Sequence, residues 1–165
     1  MSAFDLFDDP MDVFLHACPH CGRVRKPGRE DCRRCGASAK FCRGLEEAEP
    51  LVWNLDDLER AATILDRLLV EMPWSSYALE LRITVAVELG DVRSALRRLR
   101  MLFDCATVVE DALWSRARVL AYLGDHEAAL SDLGIVRRRY PKDDFVLMQL
   151  ARVRKLLDDE GECAA

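Results

Sequence analysis

No stretch of this 165-residue chain approaches the roughly 18 consecutive apolar residues of a membrane helix. The first residues are acidic rather than basic, so no secretory leader is read there, and the expectation is a cytoplasmic protein. Signatures of catalysis are also missing. No glycine-rich phosphate loop follows a strand, no Gly-x-Ser-x-Gly elbow occurs, and His16, His20 and His126 have no catalytic setting. A non-enzymatic chain is expected. Lysine is scarce, four residues against 20 arginines, the bias of a GC-rich bacterial genome. The net charge of −5 argues against strong nonspecific affinity for nucleic acid.

Half of the residues are hydrophobic and 32% charged, the balance of a globular chain long enough for one domain and a small appendage. Cysteine is the residue type with visible pattern. Four of the seven fall in two knuckles, Cys18-Pro19-His20-Cys21-Gly22 and Cys32-Arg33-Arg34-Cys35-Gly36, with ten residues between the pairs. Two C-x2-C turns can bring four sulfurs to one tetrahedral ion, and a glycine after each pair lets the chain bend back through a positive φ. One structural Zn²⁺ on Cys18, Cys21, Cys32 and Cys35 is the expectation, with His20 facing solvent. Iron or disulfides remain open for the same sulfurs. Cys-Pro-His-Cys also occurs in thiol oxidants, but that chemistry needs a βαβ setting which the 17 preceding residues do not supply. Cys42, Cys105 and Cys163 have no evident partner in the sequence, which fits a reducing compartment. Cys18 to Gly36 resembles the short zinc ribbons, which read CPxCG, a polar hairpin, then CxxCG. The resemblance implies a closed four-sulfur site with a structural role.

A second pattern is an internal repeat. Leu89-Gly90-Asp91 recurs as Leu123-Gly124-Asp125 and Ala95-Leu96 as Ala129-Leu130, each 34 residues on. One step back from Ala95 is Ala61, and Pro73 and Pro141 lie two steps apart. Between these landmarks the apolar spacing is helical: Leu58, Ala61, Ala62, Leu65, Leu68 and Leu69 share a face, as do Ala95, Leu96, Leu99, Leu102 and Phe103. Each Gly-Asp reads as a helix stop and a helix start, glycine taking the left-handed position and aspartate capping. Six helices are predicted, near 57–72, 75–89, 92–104, 108–123, 126–139 and 143–158. Pro50 sits where a preceding helix would run, so that helix is expected to be missing or broken.

The region resembles the tetratricopeptide repeat (TPR) family on Gly90, Asp91 and Ala95, then Ala117, Gly124, Asp125, Ala129, Leu133 and Pro141, with half units at Ala61, Leu65 and Pro73 and at Leu147 and Ala151. Thr107 stands where the family has proline, and Arg82 and Arg116 where it usually has leucine. Another helical-hairpin solenoid remains open. The fold expected is mainly α: a short TPR-like α-solenoid of about 2.5 to 3 units behind a small N-terminal zinc-ribbon module. The segments are a lead-in over 1–16, the knuckle module over 17–44, a connector over 45–55, the solenoid over 56–159 and a tail over 160–165.

The TPR resemblance implies a protein or peptide partner on the face lined by the first helix of each unit. In the 34-residue register that face carries Tyr77, Glu80, Thr84, Val87 and Glu88, then Asp111, Trp114, Arg118, Ala121 and Tyr122, then Phe145, Met148, Arg152, Lys155 and Leu156. Exposed Trp, Tyr and Arg are the side chains enriched at binding hot spots; Trp114 and Tyr122 as core residues are the alternative. The Lys and Asn set with which some TPR domains hold a C-terminal carboxylate is absent at Tyr77, Glu80 and Leu81. The acidic and aromatic stretch from Phe4 to Leu15 reads as a lead-in packed on the rest of the chain, or as a short recognition peptide. Residues 22–44 carry eight cations against Glu30 and Asp31, so a rival reading is nucleic-acid contact through Arg23, Arg25, Lys26, Arg33 and Arg34. A third is a zinc-thiolate redox sensor in which Cys42 joins a disulfide.

Overall fold

The computed structural model describes Cys18, residues 31–106 and residues 109–163, the last five in backbone only. Seven helices run through them, and the described residues hold no strand. They are α1 (Ala39–Trp53), α2 (Leu58–Glu71), α3 (Ser76–Glu88), α4 (Val92–Cys105), α5 (Val109–Tyr122), α6 (His126–Arg139) and α7 (Asp144–Cys163). No described helix is long and apolar enough to cross a membrane. The chain divides into two compact units, Met1–Ala78 and Leu79–Ala165.

In the first unit α1 packs on α2. Ser38 caps α1, its hydroxyl accepting from the Phe41 amide at 3.0 Å, and the Asp31 carboxylate takes the Ala39 amide at 3.1 Å. Two of the four donors a helix start leaves over are thereby satisfied. The buried side of α1 includes Phe41, Cys42, Leu45, Ala48 and Val52, and that of α2 Ala61, Ile64, Leu65 and Leu68. Gly44 lets the two helices close up: a β-carbon there would stand 2.7 Å from Leu68 Cδ2.

The expectation of a missing first helix is corrected by α1, which carries Pro50 inside its last turn and closes with the Asn54 amide on the Pro50 carbonyl at 3.0 Å. Proline this near the end forfeits one bond to the preceding turn and leaves the rest of the helix intact. The turn into α2 uses Leu55 at φ +51°, with the Leu55 amide on the Val52 carbonyl and the Asp56 amide on the Leu51 carbonyl. Asp57 then caps α2 through the Arg60 amide.

In the second unit the repeat landmarks become paired helix ends. At the close of α3 the Gly90 amide donates to Val87 and the Asp91 amide to Ala86; at the close of α5 Gly124 donates to Ala121 and Asp125 to Leu120. These are the two bonds of a Schellman end, with Gly90 at φ +72° and Gly124 at φ +82°. Asp91 and Asp125 cap α4 and α6 through the Ser94 and Ala128 amides. The last five of the six predicted helices match α3 to α7 within one residue at every start, and α7 runs on to Cys163.

Within this unit α5 packs against both α4 and α6, and α6 against α7. The core joins Leu113 and Ala117 of α5, Ala129, Leu133 and Val136 of α6, and Val146, Leu150 and Val153 of α7. On α4 the expected apolar face is shifted: Ser94, Ala95, Arg98, Leu99 and Leu102 are buried, whereas Leu96 and Phe103 are exposed. Phe103 instead presents its ring to the Arg116 guanidinium, 5.4 Å from the ring centre.

Candidate functional sites

A cluster of thiols stands ahead of α1. Within Cys32-Arg33-Arg34-Cys35-Gly36 the Gly36 amide donates to the Cys32 carbonyl at 2.8 Å and the Cys32 amide to the Ala37 carbonyl at 2.9 Å, with Gly36 at φ +73°. This turn folds the two sulfurs to one side and leaves Arg33 and Arg34 exposed. Cys18, only 1% exposed, joins them, and the Sγ atoms of Cys18, Cys32 and Cys35 all lie within 4.8 Å of one another. Four sulfurs at 2.3 Å from one ion are separated by about 3.8 Å, and Cys18 and Cys35 are 3.8 Å apart. The spacing and the soft donor set fit a metal that takes thiolates.

Cys21, the fourth expected ligand, lies outside the described residues, as do His16, His20, Arg23, Arg25, Lys26 and the Phe4 to Leu15 stretch. A sulfur that the spacing did not single out does reach the cluster. Cys42, buried on the first turns of α1, places its Sγ 3.9 Å from that of Cys18. The sequence named it only as the disulfide candidate of the redox reading; what brings it to the cluster is its place beside Phe41 on the buried side of α1, a helix that had not been expected.

The predicted partner face separates into several settings. Tyr77, in the first unit, donates its hydroxyl to Glu49 of α1 at 2.5 Å. In the second unit Thr84 is buried and accepts from Arg118 Nη1 at 2.6 Å, while Arg118 Nη2 reaches Glu88 Oε1 at 3.4 Å. Burial pushes the Arg118 pKa down, opposed by Glu88 and reinforced by Arg152. Arg118, Tyr122 and Arg152 line a hollow of about 200 Å³ together with Val87, Glu88, Ala121 and Leu156. Tyr122, Met148, Arg152 and Lys155 are exposed.

A second hollow, about 140 Å³, gathers Glu80, Asp111, Trp114 and Phe145 with Glu110, Val136, Tyr140, Asp143 and Val146. The Trp114 and Phe145 rings lie 5.4 Å apart at 43°. Glu80 has its pKa pushed up to about 8, first by burial and then by the Asp111 charge. Asp111 is also raised, mainly by burial, although the Tyr140 hydroxyl donates to it at 3.4 Å. Glu110, Tyr140 and Asp143 escaped the sequence reading because they lie at helix ends and in the α6 to α7 turn, outside the register of the face. The chain matches no protein-family model, no curated protein and no solved structure with which it was compared.

Proposed function

We propose that the chain is a non-enzymatic adaptor: a TPR-like stack of helical hairpins that holds a protein partner on the α3, α5 and α7 side of its second unit, with a structural metal knuckle at its N-terminal side. The observation that carries this reading is the convergence of residues 34 positions apart on common hollows: Glu88 with Tyr122 and Leu156, and Asp111 with Phe145. Tyr, Trp and Arg side chains line hollows of about 140 and 200 Å³, smaller than the roughly 300–1,000 Å³ of small-molecule sites. Single side chains of a partner suit such spaces better than a whole cofactor does.

Zn²⁺ is the proposed ion, on Cys18, Cys32 and Cys35 with Cys21 completing the set in a zinc-ribbon-like knuckle. An ion bound there links the segment before α1 to the Cys32 turn, which Asp31 and Ser38 tie to the helix start. Its contribution is to folding rather than to chemistry.

The test is affinity capture from the native host with and without nuclease, comparing wild type with Trp114→Ala/Arg118→Glu and Arg33→Glu/Arg34→Glu. Capture that survives nuclease and is lost in the first variant supports the adaptor. Recovery of nucleic acid, lost only in the second, replaces it with a regulator that touches nucleic acid through the exposed Arg33 and Arg34. A redox reading is favoured by one distance, the 3.9 Å between Cys18 and Cys42. In it the Cys18 and Cys42 thiols give two electrons and two protons to hydrogen peroxide, a Cys18–Cys42 disulfide forms, and both peroxide oxygens leave as water. Stoichiometric zinc release under mild peroxide, reversed by dithiothreitol and slowed by Cys42→Ser, is its expected signature; unchanged zinc content removes it.

A further inference from the structure

The acidic hollow in the second unit has the walls of a receptor for one cationic side chain. Trp114 and Phe145 form a tilted aromatic pair, Val136 and Val146 close the apolar side, and the carboxylates of Glu80, Glu110, Asp111 and Asp143 stand around them. Part of that acidity is already engaged. Asp143 accepts the Phe145 and Val146 amides as the start of α7, Tyr140 donates to Asp111, and Arg139 lies over the Tyr140 ring at 6.0 Å and attracts Asp111. With Glu80 protonated, one arginine against the carboxylates of Glu110, Asp111 and Asp143 still leaves the hollow negative.

We infer that this hollow receives a lysine or arginine side chain from a basic segment of the protein partner, its methylenes against Trp114 and Phe145 and its charge between Glu80 and Asp111. The inference deepens the adaptor reading and rests on it. Charge complementarity selects the occupant: an aromatic wall favours a cation over its face, and a carboxylate held among apolar groups gains most from an incoming positive charge. A hard divalent ion asks for six or more converging oxygens, whereas most of this lining is apolar. The volume, about 140 Å³, suits one long side chain.

A proton is coupled to this event. With the hollow empty Glu80 stays protonated up to about pH 8; a cation beside it favours the ionised form and expels that proton. Affinity for a permanent cation therefore rises with pH up to about 8 and levels above it. Around Glu80, Asp111, Glu110 and Trp114 of α5, Tyr140 after α6, and Asp143 with Phe145 at the start of α7 line the same hollow, Cys105 of α4 is raised by the Glu80 charge, and Arg139 acts on Asp111. Glu80→Gln identifies Glu80 as the group that carries the effect.

The full-length protein is titrated with N-acetyl-lysine methylamide, N-acetyl-arginine methylamide and the uncharged N-acetyl-norleucine methylamide, following the Trp114 indole N–H resonance by NMR, assigned by its loss in Trp114→Phe. Trp53 and Trp74 serve as internal controls. The expected result is a saturable shift with both cations, about tenfold weaker with norleucine and about tenfold weaker in Glu80→Gln or Asp111→Asn, with the pH dependence absent in Glu80→Gln. Equal response to norleucine, unchanged affinity in both variants, or displacement of the lysine probe by millimolar Ca²⁺ overturns the inference. Host-protein capture by wild type and its loss in Trp114→Ala/Arg118→Glu then still sustain the adaptor, whereas no capture at all removes both.

Discussion

Arg116 and Asp132 show how a charged residue can sit where a helical repeat usually buries leucine. Arg116 Nε and Nη2 each reach an Asp132 carboxylate oxygen at 2.7 Å, and the Asp132 side chain is 5% exposed while that of Arg116 is 43% exposed. The asymmetry decides which loss matters more. Arg116→Ala strands a carboxylate inside the α5 and α6 packing, at about 2–3 kcal/mol, while Asp132→Ala leaves a guanidinium that water can reach, at about 1 kcal/mol. Urea unfolding of the two variants should rank them in that order; equal losses would show the pair to be interchangeable. Arg116 was legible as an anomaly in the sequence, but its partner 16 residues on was not, because the pairing depends on how two helices face each other.

Glu80 gives a second prediction at the same scale. Its folded pKa of about 8 lies above the unfolded value of 4.5, so the native state holds a proton that the unfolded chain releases. That contribution is fully present below about pH 4.5 and is lost as pH rises through about 8. Glu80→Gln should flatten the fall in stability between pH 5 and 8 and raise stability at pH 8.5 by on the order of 1 kcal/mol. Denaturant melts across that range check the slope; an unchanged slope contradicts an abnormal Glu80.

At the scale of elements, helix ends explain what could be read in advance. Gly90-Asp91 and Gly124-Asp125 supply both a left-handed residue and a cap, and the helices around them begin where the letters predict. The α1 to α2 turn makes the same two end bonds with a leucine in the left-handed position, Leu55 at φ +51°, followed by one more residue before the Asp57 cap. Without glycine, and with Pro50 upstream, that hairpin left no stop signal and α1 went unread. Leu55 is 58% exposed, so Leu55→Gly gives up little burial and relieves left-handed strain, a gain of about 1 kcal/mol, while Gly124→Ala should lose about as much. Thermal melts that move in the same direction for both variants would contradict this account. Gly44→Ala gains helix propensity of about 1 kcal/mol but drives a methyl into buried Leu68, and a net loss of about 1 kcal/mol is expected by the same melt.

For the whole molecule, the local letters carried different amounts of information. The spacing of Cys18, Cys32 and Cys35 was legible because a C-x2-C turn is a local structure, whereas Cys42 arrives through α1 and depends on tertiary packing. On the second unit the 34-residue register identified Glu80, Trp114 and Arg118, but the depth of the hollows and the carboxylates at their rims came from turns that no register describes. If a thiolate-bound ion ties the chain before α1 to the Cys32 turn, chelation should speed hydrogen exchange at the Phe41 and Cys42 amides by at least about tenfold. Exchange unaffected by chelator would remove the structural role of the ion.

The proposed adaptor role requires the second unit to present a face for a protein partner. It is tested most directly by photocrosslinking in the native host from a reactive residue placed at Tyr122 or Met148, both on that face, and at Val70 of α2, which is 82% exposed. The expected result is one or a few discrete protein adducts, resistant to nuclease, from Tyr122 and Met148 and none in common from Val70. Adducts of the same pattern from all three positions, or nucleic-acid adducts alone, would contradict it.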